Sequence, residues 1–166
     1  MTYASLLRQI LAQFQTILPT VPVADLEAKP DPDRWSHKEI LGHLIDSAHN
    51  NHQRFLRAEA QSNLIFQGYA QEEWVRLNRY QERSLEEIVG LLLAMNEHIA
   101  VLVEGLSPEA LQQETREHNF HQIGMNPVEA GSPASLRYLI WDYLFHLEHH
   151  LSQVFPSYRK LLEPFT

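Results

Sequence analysis

The chain has 166 residues, enough to bury one hydrophobic core without covalent staples, so a single domain over residues 1–166 is expected. It contains no cysteine, which excludes disulfides, thiolate metal sites and a cysteine nucleophile and leaves only nitrogen and oxygen ligands for any metal. The formal charge of −8, with Lys and Arg scattered along the chain, speaks against a phosphate backbone and hence against nucleic acid as a partner.

In chain order, the segment from Tyr3 to Leu18 places Leu6, Leu7, Ile10, Leu11, Phe14, Ile17 and Leu18 at helical spacing, which predicts a first amphipathic helix. This N-terminal stretch has neither a basic leader nor a continuous apolar run. No run elsewhere approaches the roughly 20 residues that span a bilayer, so a soluble, cytoplasmic protein without membrane contact is expected. The proline-rich stretch LPTVPVADLEAKPDPDRW cannot continue the helix and is expected as an ordered crossing loop. Ser36 and Glu39 form a capping box that opens a second helix to about Glu59, with Ile40, Leu41, Leu44, Ala48 and Phe55 on its core side.

Gln61 to Gln81 has weak periodicity and is expected as a loop with a short helical turn. Ser84 and Glu87 repeat the capping box. They open a third helix ending near Gly105, with a stripe of Leu85, Ile88, Leu91, Leu92, Met95, Ile99, Leu102 and Val103. Ser107-Pro108 caps a short helix to about Gln113, and REHNFHQIGMNPVEAGSP then has no periodicity, a long loop of the kind that often carries function. Ser132-Pro133 supplies an N-cap and a first-turn proline for the last long helix, which Pro156 stops. Its stripe is Leu136, Leu139, Ile140, Tyr143, Leu147, Leu151 and Val154. No strand pattern or internal repeat competes, so the predicted fold is an all-α four-helix bundle with long crossing loops.

The ten histidines are the compositional oddity. His146 and His150 lie four residues apart, on one face of the last helix, where two imidazoles can grip one ion. His149 competes for the second place, but His150 sits on the seam between Leu147 and Leu151. A third ligand from another helix would complete a catalytic-type site, and His43, flanked by Ile40 and Leu44, points inward on the second helix. Asp46 and Asn50 continue that helix as a polar seam, and Asp142, one turn before His146, is placed to hold an imidazole. An inward histidine is more often a hydrogen-bonded core residue than a ligand, and pairs at this spacing also arise by chance. His37, His49, His52, His98, His118 and His121 lack comparable geometry and are expected at the surface.

The run RWSHKEILGHLIDSAHNNHQRFLRA, with the later YLFHLEHHLSQ, resembles the DinB/YfiT-like superfamily of metal-binding four-helix bundles, in its bacillithiol-transferase and metal-dependent-hydrolase branch. The resemblance covers nearly the whole chain. It implies that the histidine of the W…KE…HL-x-D-S motif and the H-x-x-x-H pair, here His43, His146 and His150, hold a divalent ion such as Zn²⁺ or Ni²⁺. Asn50 and the Arg54-Phe55 pair match the pattern that follows the D-S dipeptide, and Tyr69 with Trp74 matches a loop signature.

Ala48 departs from the pattern, because close transferase relatives can carry another histidine there, and this leaves the thiol or substrate open. The implied activity is transfer of a small thiol to a small electrophile, with metal-dependent hydrolysis or a non-enzymatic metal- or ligand-binding bundle as alternatives. Asp46 or Asp142 would then take a proton or orient an imidazole, while Asn50 and Arg54, one and two turns further along the helix, would anchor a polar or carboxylate end of the ligand. A surface ion pair, the commoner fate of a helical arginine, is the alternative for Arg54. A homodimer is compatible with this resemblance, although no exposed apolar stripe in the sequence demands one.

Overall fold

Four long helices carry the predicted apolar stripes in a computed structural model that describes residues 2–165. They are α1 (Tyr3–Ile17), α3 (His37–Ala60), α5 (Leu85–Gly105) and α8 (Leu136–Val154). Each start is fixed chemically. Thr2 accepts from the Ser5 N–H at α1, Ser135 accepts from the Tyr138 N–H at α8, and both predicted capping boxes close, Ser36 with Glu39 and Ser84 with Glu87. Helix α3 packs against α5 and α8, and α1 packs against the same two, which makes an all-α four-helix bundle. Phe14, Phe55, Ile99, Leu147 and Phe155 are fully buried or nearly so within one continuous core.

Short elements fill the connections. Helix α2 (Val23–Glu27) forms inside the proline-rich loop because Leu26 is drawn fully into the core. Helix α4 (Gln71–Leu77) and a 3-10 turn at Tyr80–Glu82 order the weakly periodic segment, anchored by Val75 and Tyr80. Helices α6 (Pro108–Gln112) and α7 (Phe120–Ile123) flank a two-residue strand β1 (Glu114–Thr115), which pairs antiparallel with β2 (Ala134–Ser135).

That strand pair corrects two expectations. It is the strand structure that the sequence pattern did not show, and it moves the start of the last helix. Ser132-Pro133 does not open α8, because Ala134 and Ser135 are held extended against Thr115 and Glu114, and the helix begins only after Ser135.

Helix α5 brings two further corrections. Its length and composition would suffice to cross a membrane, at a mean hydropathy of 1.5, contrary to the expectation that no segment comes close. Here it packs between α1 and α3. Leu91, expected in the core, is 38% exposed and lies with Met95 over a surface cavity toward α4, because the stripe is wider than the arc its neighbours cover.

Tyr80 shows how tightly the turn after α4 is clamped onto α3. Its ring lies flat on the helix where Gly42 has no side chain, so close that a Cβ at Gly42 would stand 2.2 Å from the ring. Its hydroxyl donates to Asp46 Oδ1 at 2.8 Å.

Candidate metal centre

One face of α3 presents His43, Ser47, Asn51 and Arg54 at successive turns, and α8 faces it with Asp142, His146 and His150. One nitrogen from each of His43, His146 and His150 lies within 4.8 Å of the others. The Nε2 atoms of His43 and His146 are 3.1 Å apart. Two nitrogens bound to one tetrahedral ion at ordinary bond lengths stand about 3.3 Å apart, so this spacing suits a shared ion.

The far sides of the rings agree with Nε2 as the ligating atom. His146 Nδ1 lies 3.3 Å from Ser47 Oγ, and His150 Nδ1 lies 3.0 Å from Gln153 Oε1, where an Nδ1–H donates and leaves Nε2 with its lone pair. His43 is held differently. Its Nδ1 is buried without a partner, and its ring is fixed by Trp35 at 5.1 Å between centroids and by Tyr69, stacked at 6.5 Å. His149 touches the His150 ring but is not among the converging nitrogens.

Burial keeps these imidazoles uncharged, which is the state that can ligate. It pushes His43 down to about 4, with His150 adding to the effect, and it lowers His146 well below the ordinary value, aided by both partners. His150 is lowered mainly by burial as well. A histidine with a depressed pKa contributes stability above its unfolded value of 6.5, which is lost as pH falls toward its folded value.

Metal-free protein should therefore lose stability from about pH 6.5 down to about pH 4, the window His43 sets. Asp46 acts oppositely: burial raises its carboxyl to about 6, so it adds stability as pH falls through the same window. Urea midpoints across that range should show the net loss from three imidazoles, and Asp46→Asn should steepen it. A flat profile in both proteins would contradict the burial of the cluster.

His146 and His150 line a cavity of about 300 Å³ between α3 and α8, roofed by the Ile123–Met125 segment and lined also by Tyr69, while His43 is buried behind them. Of the residues expected to do chemistry, Arg54 lies in this cavity and Asp46 and Asn50 do not. Asp46 turns to the other side of α3, where Oδ1 accepts from Tyr80 and Asn78, and Asn50 donates back to the Asp46 carbonyl and lines a separate cavity. At about 100° per residue, positions 46 and 50 fall on the opposite flank of His43 from positions 47 and 51. The seam thus has two sides, and only one faces the cavity that His146 and His150 line.

Asp142 is also corrected. It holds no imidazole, because its oxygens accept from the Met125 and Asn126 N–H groups and the Asn126 side chain at 2.7–2.9 Å. It pins the roof of the cavity, while Ser47 and Gln153 orient the histidines. Ser47 and Asn51 were missed by sequence reasoning, although they stand one and two turns beyond His43. His118, expected at the surface, is buried: its Nε2 lies 2.8 Å from the Ser132 carbonyl and its Nδ1 accepts from the Phe120 N–H, tying the long loop together. His49, His98 and His121 are exposed, whereas His37 and His52 are half-buried, the latter stacked on His98.

A four-helix bundle with three imidazoles converging from its second and fourth long helices defines the class. The chain belongs to the DinB superfamily, whose family model matches residues 6–154. A protein of Oceanobacillus iheyensis, provisionally named a metal-dependent hydrolase, is 28% identical over 120 residues, covering 72% of this chain and 63% of that protein. A protein of Halalkalibacterium halodurans with the same provisional name is 25% identical over 120 residues, with the same coverage. The match thus spans 63% of each of these relatives. YfiT from Bacillus subtilis, provisionally described as a metal-dependent hydrolase with an unusual four-helix bundle topology, superposes with a TM-score of 0.72. The superposition covers 92% of this chain and 81% of YfiT at 15% identity, a likeness of fold.

Proposed function

We propose that the protein is a metal-dependent enzyme that activates a small nucleophile, and that it transfers a low-molecular-weight thiol to a small electrophile. The observation that carries this reading is that the three-imidazole set has a cavity on one side, where His146 and His150 line it. The two groups that could have closed it lie elsewhere, Asp46 on Tyr80 and Asn78, and His49 in solvent. Structural sites fill four positions with protein ligands, whereas catalytic sites keep one for water or substrate. A divalent ion on these nitrogens, Zn²⁺ or Ni²⁺, would supply Lewis acidity that lets a thiol or water ionise near neutral pH.

The chain's own residues position and enclose. Ser47 and Gln153 keep His146 and His150 turned toward the centre, and Asp142 holds the Met125–Asn126 segment at the edge of the cavity. Burial pushes the Tyr69 hydroxyl up to about 12, so it stays protonated and can donate to a polar atom of a ligand in the cavity. The provisional hydrolase names of the Oceanobacillus and Halalkalibacterium relatives favour a second reading, with water in place of the thiol. A small thiol and a small electrophile are the proposed partners, in the cytoplasm and without nucleic acid or membrane, in keeping with the acidic charge.

The test reconstitutes the protein with Zn²⁺ or Ni²⁺ and offers bacillithiol, mycothiol, glutathione or water alone against monochlorobimane and a nitrophenyl ester. Metal-dependent consumption with one thiol, lost in His146→Ala, is the expected result. Ester turnover with water alone would establish hydrolysis instead. The absence of any metal-dependent turnover across the panel would leave a binding bundle.

A further inference from the structure

Arg54 is the anomaly of the cavity. It is only 7% exposed, yet no carboxylate lies within ion-pair distance among the described residues. Its Nε is buried without a partner, and its terminal nitrogens make only long contacts, Nη1 to Asn51 Oδ1 at 3.4 Å and Nη2 to the Gln67 carbonyl at 3.3 Å. The nearest acid in the cavity, Asp142, has both oxygens engaged by the Met125–Asn126 segment. A guanidinium withdrawn from water with neither a counter-charge nor well-made hydrogen bonds is unfavourable, and an anion reaching it offsets that cost. Arginine also presents a planar fork that matches the two oxygens of a carboxylate or phosphate.

We propose that Arg54 is an anion-binding residue and that the ligand of this cavity is a small molecule carrying a carboxylate or phosphate group. Size follows from place. Arg54 is two helical turns beyond Ser47, about 10 Å along the axis, and helical side chains lean back toward the N-terminus, which shortens the gap to the imidazoles. The cavity of about 300 Å³ is at the small end of ligand pockets. The anionic group therefore lies only a few bonds from the atom presented to His43, His146 and His150. Ser47, Asn51 and Tyr69 line the wall between and supply neutral polar groups rather than competing charge. The inference rests on the proposed function only for what happens at the ligand's other end.

Isothermal titration and thermal shift with acetate, inorganic phosphate and the neutral isostere acetamide test it on metal-free protein, where the anion cannot simply ligate an ion. Acetate or phosphate should bind and raise the melting midpoint while acetamide does neither, and the stronger of the two anions identifies the group. Arg54→Gln should weaken that binding about 10- to 100-fold while zinc content, read separately by elemental analysis, stays at the wild-type level. Equal anion affinity in wild type and Arg54→Gln, or no anion binding by wild type, would overturn the proposal.

If Arg54→Gln does not fold, the Arg54 Nε–H resonance of the wild-type protein carries the test. It should shift on titration with the anion and not with acetamide, and an unmoved resonance would overturn the assignment. Loss of metal-dependent turnover with anion binding intact would sink the enzymatic reading and leave this site standing.

Discussion

Tag-free protein loaded with zinc should hold roughly one equivalent of metal, and His146→Ala should lower its affinity by at least about 100-fold. The reason is geometric. The His146 Nε2 stands 3.1 Å from that of His43, and its ring is in edge contact with His150, so removing it leaves only two ligands, His43 and His150, one from each helix. His43→Ala and His150→Ala should act alike. Ser47→Ala and Gln153→Ala should weaken binding by a smaller factor of about 10, because they orient the imidazoles without touching the ion.

His149→Ala and His52→Ala should keep full metal content. His118→Ala should keep it too while losing stability, since it removes a buried tie between the Ser132 and Phe120 backbones. Elemental analysis and competition with a chromogenic chelator would read all of these. Unchanged metal content across the three single variants would show that the convergence is only packing.

The largest stability effect should come from Gly42→Ala. Alanine in a helix interior is ordinarily favoured over glycine by up to about 1 kcal/mol. At this position the added Cβ would meet three atoms of the Tyr80 ring at 2.2, 2.3 and 2.7 Å. The ring cannot withdraw cheaply, because Tyr80 is 2% exposed and its hydroxyl is bound to Asp46. The overpacking should outweigh the propensity gain and leave a net loss of about 1–3 kcal/mol in urea unfolding.

Gly90→Ala is the control. It lies on the exposed side of α5, where an added methyl would meet nothing within 4 Å, so the substitution should gain about 0.5–1 kcal/mol. Equal signs for the two substitutions would mean that the Tyr80 turn yields freely to α3.

Whatever depends on spacing along one helix could be read from the order of the amino acids alone. The stripes of α1, α3 and α8, the boxes at Ser36 and Ser84 and the i, i+4 pairing of His146 with His150 follow from about 3.6 residues per turn and from side chains that cap their own backbone. The inward placement of His43 was legible for the same reason. Packing settled what depends on which neighbour covers each face. Asp46 and Asn50 share the polar seam of α3 with Ser47 and Arg54, and only the packing of α4 and Tyr80 against one flank and of α8 against the other separates structural groups from cavity groups.

Asp142 stands one turn from His146, but a carboxylate that meets two free N–H groups of a distant loop satisfies itself there, and sequence spacing carries no information about that loop. The start of α8 escaped its local capping signals for a related reason. A strand pairing between residues roughly twenty positions apart holds Ala134 and Ser135 extended, and such a non-local choice of hydrogen-bond partner leaves no mark in the residues beside it.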